Sequence, residues 1–551
     1  MKKKNLTPLQ RFIGLLQLER RDILQVFYYA IFAGLVALTL PLGIQAIINL
    51  IQGAQITTSW IVLVVLVTIG VGFTGVLQLM QLRIIESIQQ RIFTRASFEF
   101  TYRFPKIQMK ELRNYYPPEL ANRFFDTINV QKGLAKILVD IPAAMLQIIF
   151  ALILLSFYHP FFIVFGVLLL LLIYVVFKFT AQKGMISSLE ESKNKYLVAH
   201  WIQEVARAVT SFKLSGNTNL ALTKNDELVT RYLDARESHF KVLVLQFIHM
   251  IGFKVIVTAG LLIIGGALVL SQEMNIGQFV AAEIIILLVI NSVEKLILGL
   301  ESFYDVLTSL QKIGEVVDKD LEIQEGDQVD LGNDFTIELD DVTYNVDDRE
   351  KPILGNINLK ITNSSRILIQ GKSGSGKSSL LRLIAGVIKP SSGHLFINNN
   401  AITSVQLNHY RAQIGMSLSN ETPFEGTIRE NITFGTNNIS DEDIYQALDK
   451  VGLSEFIKEQ PQGLSTVLYP EGKRMSFSLA KKLVLARAIV VKPKILILED
   501  PLDHFETEEV ANIMDFLTSQ ENPWALLVVS VNERWKQKCS NQITLKKGRL
   551  V

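Results

Sequence analysis

The hydrophobic positions divide the chain at about residue 310. Before that point apolar residues gather in six long runs, at about 24–52, 59–82, 137–157, 160–180, 242–270 and 277–300. A helix needs about 20 residues to cross the roughly 30 Å of bilayer hydrocarbon, and every run is long enough. Ile61–Val71 and Phe161–Phe177 hold no charged residue at all. The pattern predicts an all-α membrane domain of six transmembrane helices over residues 1–310. After about residue 330 it changes to short β-branched runs alternating with helical spacing, as in a soluble α/β domain. The acidic, glycine-containing stretch 311–333 reads as a linker, and 334–551 as the second domain.

The polar segments between the runs orient the bundle. Segments 53–58, 158–160 and 271–276 contain no Lys or Arg, whereas 83–136 and 181–241 contain many, including Arg83, Arg91, Arg95, Arg103, Lys183, Lys193, Lys195 and Arg207. Positive residues stay on the cytoplasmic side, so the N-terminus, both long segments and the second domain are expected there. Each long segment has room for two helices of about 25 residues, or about 37 Å. Leu197, Trp201 and Val205, and Leu228, Tyr232 and Ala235, carry helical spacing. These segments are therefore expected to extend the membrane helices into the cytoplasm. Their tips, Tyr116-Pro117-Pro118-Glu119 and Ser215-Gly216-Asn217-Thr218, are placed to dock onto the soluble domain. Met1-Lys2-Lys3-Lys4 stands well ahead of the first run and no small-residue cleavage site follows, which argues against a removed signal peptide.

Composition narrows the picture. The chain has 551 residues, 49% of them hydrophobic, which excludes a disordered or ordinary soluble protein. Lys and Arg number 55 against 53 Asp and Glu, a net charge of +2 that offers no electrostatic case for nucleic acid as a partner. The single cysteine, Cys539, excludes an internal disulfide and a cysteine-based zinc site, and no His near it supports a catalytic thiol. Lys254 and Glu283 fall inside the fifth and sixth runs, with His249 about one turn from Lys254. Two readings stay open for them: a substrate path, or a solvated inner cavity with snorkelling near the interface. Pro41 and Pro142 are expected to kink their helices.

The firmest chemical signal is in the second domain. Ile367-Leu368-Ile369-Gln370 reads as a buried strand, Gly371-Lys372-Ser373-Gly374-Ser375-Gly376-Lys377-Ser378 follows it, and Leu380 opens a helix. Strand, GxxxxGKS and helix form a phosphate-binding loop in its required context. The glycines let backbone amides turn around phosphates, and the helix N-terminus adds partial positive charge. Lys377 is placed to reach the outer phosphates, and Ser378 to hold Mg2+.

Six membrane helices followed by this loop resemble an ABC exporter half-transporter, over nearly the whole chain. The resemblance extends to Gly426-Thr427-Ile428-Arg429-Glu430-Asn431 after the Q-loop, to Leu485-Ala486-Arg487-Ala488 in the helix after the signature, and to the Walker B strand Ile495-Leu496-Ile497-Leu498. Ile276-Gly277-Gln278 is similar to the peptide and protein exporters of type I secretion. Their peptidase domain is expected to be absent, because only about 23 residues precede the first run. The resemblance implies ATP and Mg2+ as cofactors. Tyr344 would stack on adenine. Gly371, Ser373, Gly374, Ser375, Gly376, Lys377, Ser378 and Ser379 would hold the phosphates, with Ser476 reaching them from the signature. Ser378 and Glu499 would hold the metal. The implied partners are membrane lipid, a transported substrate and a second half-transporter, identical or different, because each ATP lies between the loop of one subunit and the signature of the other. The implied setting is a bacterial inner membrane.

Four motifs depart from the family, and all bear on hydrolysis. The signature LSGGQ aligns with Met475-Ser476-Phe477-Ser478-Leu479, which puts an aromatic ring where glycine allows close approach. The acidic pair is inverted to Glu499-Asp500. Asp500, the candidate general base, is one methylene shorter than the usual Glu, and a misplacement of about 1 Å can cost on the order of 100-fold. The Q-loop glutamine aligns with Ser419; Asn420 supplies an amide only if the loop shifts by one residue. The switch histidine aligns with Val531. A neutral carboxylate swap or a compensating geometry remains open. Three functions follow: an active exporter of a peptide, protein or amphipathic molecule with slow or partner-dependent hydrolysis, an ATP-binding pseudoenzyme acting as a regulatory or structural subunit, and an ATP-gated channel.

Overall fold

The computed structural model describes residues 6–52 and 58–551, apart from the side chains at 172, 175–177 and 179–181. It divides into two compact units, one of residues 1–107 with 111–320, the other of 108–110 with 321–551.

The first unit is helical. Its long elements are Arg20–Ala37 with Thr39–Gln52, Thr58–Arg103, Asp126–Ser156, Phe161–Arg207, Leu220–Gly260 and Ile276–Val317. Five helical stretches among the described residues are long and apolar enough to cross a membrane. The run expected at 160–180 opens the helix Phe161–Arg207, of which Phe161–Leu171 is apolar. Thr58–Arg103 has 46 residues, a length of about 69 Å at 1.5 Å per residue, which is more than twice the hydrocarbon thickness. The extended helices expected outside the bilayer are therefore present as continuous backbone. In the most apolar window of Thr58–Lys106 only 11% of residues are buried, against 50% in Ile276–Val317. The last helix thus forms the centre of the unit, and the others present apolar surface of the kind lipid covers.

Several details refine the sequence expectation. The first run is broken at Leu38 between two helices, and Pro41 sits in the first turn of the second, where a missing amide is harmless. Pro142 lies within Asp126–Ser156 without ending it. The last helix runs to Val317, so the first seven residues of the expected linker are helical. A short helix, Pro8–Leu18, precedes the first run and is closed by a capping box on Thr7. Phe12 on it meets Phe303 edge to face at 5.3 Å. The segment expected at 53–58 lies, up to residue 57, outside the described residues, as do residues 1–5.

The second unit is α/β. Thr336–Tyr344, Leu354–Thr362, Ser392–Ile397 and Asn400–Ala401 build an antiparallel sheet. The other sheet has the order Arg549–Leu550, Asn541–Lys546, Arg366–Gln370, Ala525–Val529, Ile495–Glu499, Ile414–Ser417, parallel except for its first strand. Its central strands are continuous apolar runs buried on both faces, as a parallel sheet covered by helices requires. Val529 pairs with both Ile369 and Glu499. That register sets the carboxyl ends of three strands side by side, the edge where open α/β sheets bind ligands.

Candidate ATP-binding site

The phosphate loop leaves the strand Arg366–Gln370 and enters the helix Lys377–Ile384. Its turn requires glycine. Gly371 has φ +153°, and a Cβ there would lie 2.4 Å from the Leu545 carbonyl oxygen and 2.6 Å from Ser375 Oγ. Gly376, at φ +105°, is the N-cap of the helix, and a Cβ there would meet the Ile353 carbonyl at 2.9 Å. Ile353 also donates its amide to the Tyr344 carbonyl at 2.9 Å. Tyr344, at the end of its strand, is therefore tied to the loop through one residue. Ser373 and Gly374 are exposed at the loop's rim, and Ser379 is half-buried in the first helical turn. Ser375 Oγ is buried with no hydrogen-bond partner among the described residues.

Lys377 Nζ donates to the carbonyls of Gly371 at 2.7 Å and Lys372 at 3.2 Å, so its ammonium sits at the mouth of the loop. Ser378 Oγ donates to Glu499 Oε1. The other carboxylate oxygen, Oε2, accepts from Ser419 Oγ at 3.2 Å and Ser419 N at 3.4 Å. Two hydroxyls, one on the helix and one on the loop, and a carboxylate at a strand end make an oxygen-only donor set, the kind Mg2+ takes when phosphates supply further ligands. The expected metal residues Ser378 and Glu499 are thus together and fit that ion. The pattern did not predict that Ser419, standing where the family has glutamine, joins them. Asn420 is exposed.

Asp500 follows Glu499 in the left-handed region, at φ +45°, with its amide donating to the Val529 carbonyl at 2.8 Å. Burial, then the neighbouring Asp503 and Glu499, push its carboxyl up to about 6. Its Oδ1 is buried without a partner among the described residues. A carboxyl with a raised pKa and a free oxygen suits proton transfer near neutral pH.

Ser476 caps the helix Phe477–Val490, its hydroxyl accepting from Leu479 N at 3.2 Å. Phe477 is 53% exposed and meets His504 edge to face at 5.1 Å. Val531, just past the strand Ala525–Val529, is exposed and offers no polar group. Asn431, in the segment after the Q-loop, is fully buried. Its amide donates to the Phe424 and Thr427 carbonyls, and Arg487 donates to its backbone and side-chain oxygens. In the first unit Lys254 pairs with Glu294 at 2.6 Å, a partner that the pattern did not suggest.

Comparison with known proteins agrees with this geometry. The family model of the ABC transporter transmembrane region matches residues 23–293, and the ABC transporter family model matches 354–503. The fold is that of a bacterial Atm1-family ABC exporter solved with ATP bound, with a TM-score of 0.83, 18% identity, and coverage of 97% of this chain and 94% of that one. An uncharacterized ABC transporter ATP-binding protein of Bacillus subtilis is 29% identical over 276 residues, 50% of this chain and 48% of that protein. The alpha-hemolysin translocation ATP-binding protein HlyB of Escherichia coli is 28% identical over 321 residues, 57% of this chain and 45% of that protein. The chain spans about half the length of such curated relatives, or less. With a transmembrane region and a phosphate-loop ATPase domain in sequence on one polypeptide, the chain belongs to the ABC transporter family, in its half-transporter form.

Proposed function

We propose that the chain is one half of an ATP-driven exporter that works as a dimer in a bacterial inner membrane, with its ATPase domain in the cytoplasm. The observation that carries the reading is the glycine-lined loop, with Lys377 at its mouth and Ser378 beside Glu499, on the same polypeptide as a bundle of membrane-length helices. The loop amides and the start of the helix Lys377–Ile384 bind the phosphates of ATP. Lys377 steers the outer phosphates, and Tyr344 stacks on adenine. Ser378 and Glu499 would hold Mg2+, which would neutralise negative charge on the phosphates. Asp500 takes the proton of the attacking water. The cytoplasmic placement rests on the Lys and Arg distribution. A peptide, protein or amphipathic molecule is the proposed substrate, as the name of the hemolysin relative suggests.

Turnover on this reading is slow or depends on a partner, because Phe477 and Val531 replace groups that act on the γ-phosphate. The exposed Phe477 ring at the start of the signature helix also favours a second reading, a pseudoenzyme that binds ATP and does not turn it over. Phosphate release by the full chain in lipid nanodiscs, with and without a second half-transporter bearing an intact signature, separates the two. An Asp500→Asn change that lowers release by about 100-fold or more while Mg-ATP still binds supports hydrolysis through that carboxylate. Tight Mg-ATP binding with no release in either preparation selects the pseudoenzyme.

A further inference from the structure

We propose that Lys481 is a positioning residue for the Mg2+ site: it fixes the loop 418–421 so that Ser419 holds and orients Glu499. The proposal rests on the ATP-binding reading above and deepens it.

Lys481 lies in the helix Phe477–Val490 and is 7% exposed. Its ammonium donates to the carbonyls of Leu418 and Glu421, each at 3.1 Å, and to that of Ser419. An ammonium has three N–H donors, and all three are spent on one short loop. No carboxylate lies within ion-pair distance of it among the described residues. Glu421, Glu499 and Asp500 act on it from further off. A buried cation held by carbonyls and by the Phe477 ring 5.4 Å away, with no carboxylate beside it, is costly to keep, so packing alone is a poor account of a lysine here. The loop it grips begins where the strand Ile414–Ser417 ends, and Ser419 turns both its amide and its hydroxyl to Glu499 Oε2. Glu499 is therefore fixed from two sides, by Ser378 of the phosphate loop on one oxygen and by the lysine-pinned Ser419 on the other. Serine is shorter than the glutamine that the resemblance places at this position. A loop clamped by a buried ammonium brings the shorter side chain to the same carboxylate. The clamp also ties the helix that starts at signature Ser476 to the metal site, within one chain.

Groups that orient a metal's ligands typically set its affinity by 10–100-fold. The test is calorimetric titration of the full-length protein in nanodiscs with ATP, once with saturating Mg2+ and once with EDTA. Lys481→Met is expected to weaken the Mg2+-dependent part of ATP binding by about 10-fold or more and to leave binding in EDTA unchanged, with Lys481→Arg restoring part of it. A lysine that only stabilises the fold would shift both titrations alike, and that result overturns the proposal. So does an unchanged Mg2+ dependence in a folded Lys481→Met protein. Should that variant fail to fold, Ser419→Ala reads the same link from its other end: a selective loss of the Mg2+-dependent part supports the proposal, and none overturns it. Wild-type protein with no Mg-ATP binding at all would instead remove the ATP reading, and the proposal with it.

Discussion

At the scale of single residues the site depends on a few atoms that have no substitute. Gly371 can carry no side chain, because a Cβ would press on the Leu545 carbonyl in a backbone region that L-residues avoid. Lys377 is different: its ammonium bonds two carbonyls of its own loop, and its charge is what the ligand needs. Lys377→Ala is expected to weaken ATP binding by about 100-fold, close to 2.7 kcal/mol, the size of a charge-assisted bond to phosphate. The measurement is the rise in thermal midpoint on adding ATP, which should disappear at concentrations that stabilise the wild type. Residues at this scale were legible to unequal degrees. The loop declared itself by spacing, since the chemistry needs those residue types in that order. Ser419 and Lys481 did not: they are 62 positions apart and meet through a carbonyl, and a backbone contact leaves no trace in residue type.

At the scale of elements two joints carry much of the packing. The helix Ile428–Thr433 is fixed by Asn431, which bonds the chain before it and receives Arg487 from the signature helix. Asn431→Ala leaves those buried groups unpaired and is expected to cost about 2–3 kcal/mol, read as a lower unfolding midpoint of the full chain in detergent. In the membrane unit, Gly133 on Asp126–Ser156 lets the last helix approach. A Cβ there would lie 2.4 Å from a Val306 methyl and 3.2 Å from the Ser302 carbonyl. Gly133→Leu is expected to cost about 1–3 kcal/mol through forced separation of the two helices, measurable as faster loss of monodisperse protein on heating. Element types were clear from hydrophobic runs and strand composition. Their ends were less so, as with the break at Leu38 and the helix that runs on to Val317. Ends depend on capping and on what the next residues pack against.

At the scale of the whole molecule the distribution of Lys and Arg makes a topological prediction. In a Cys539→Ala background, a cysteine introduced by Ser271→Cys is expected to react with a membrane-impermeant maleimide on intact cells. One introduced by Ser215→Cys should react only after the membrane is opened. Cys539 is itself buried, and replacing it by Ala removes only the sulfur, a small packing loss. Labelling of the Ser215→Cys site and not of the Ser271→Cys site on intact cells would show that the orientation is the reverse of the one the charges dictate.

The chain's own order of residues determined the two-part plan, the membrane-length helices and the phosphate loop, because each rests on local periodicity or on a fixed spacing that physics reads directly. Apolar length decides spanning, and a glycine pattern after a strand decides a phosphate cradle. Tertiary structure alone decided which distant groups share an atom. Lys254 meets Glu294, Ser419 meets Glu499, and Lys481 grips the loop that carries Ser419. Such pairings come from how elements cross and how strands are ordered in the sheet. Those in turn are settled by burying the whole apolar surface at once, a sum over the chain that no short window of sequence contains.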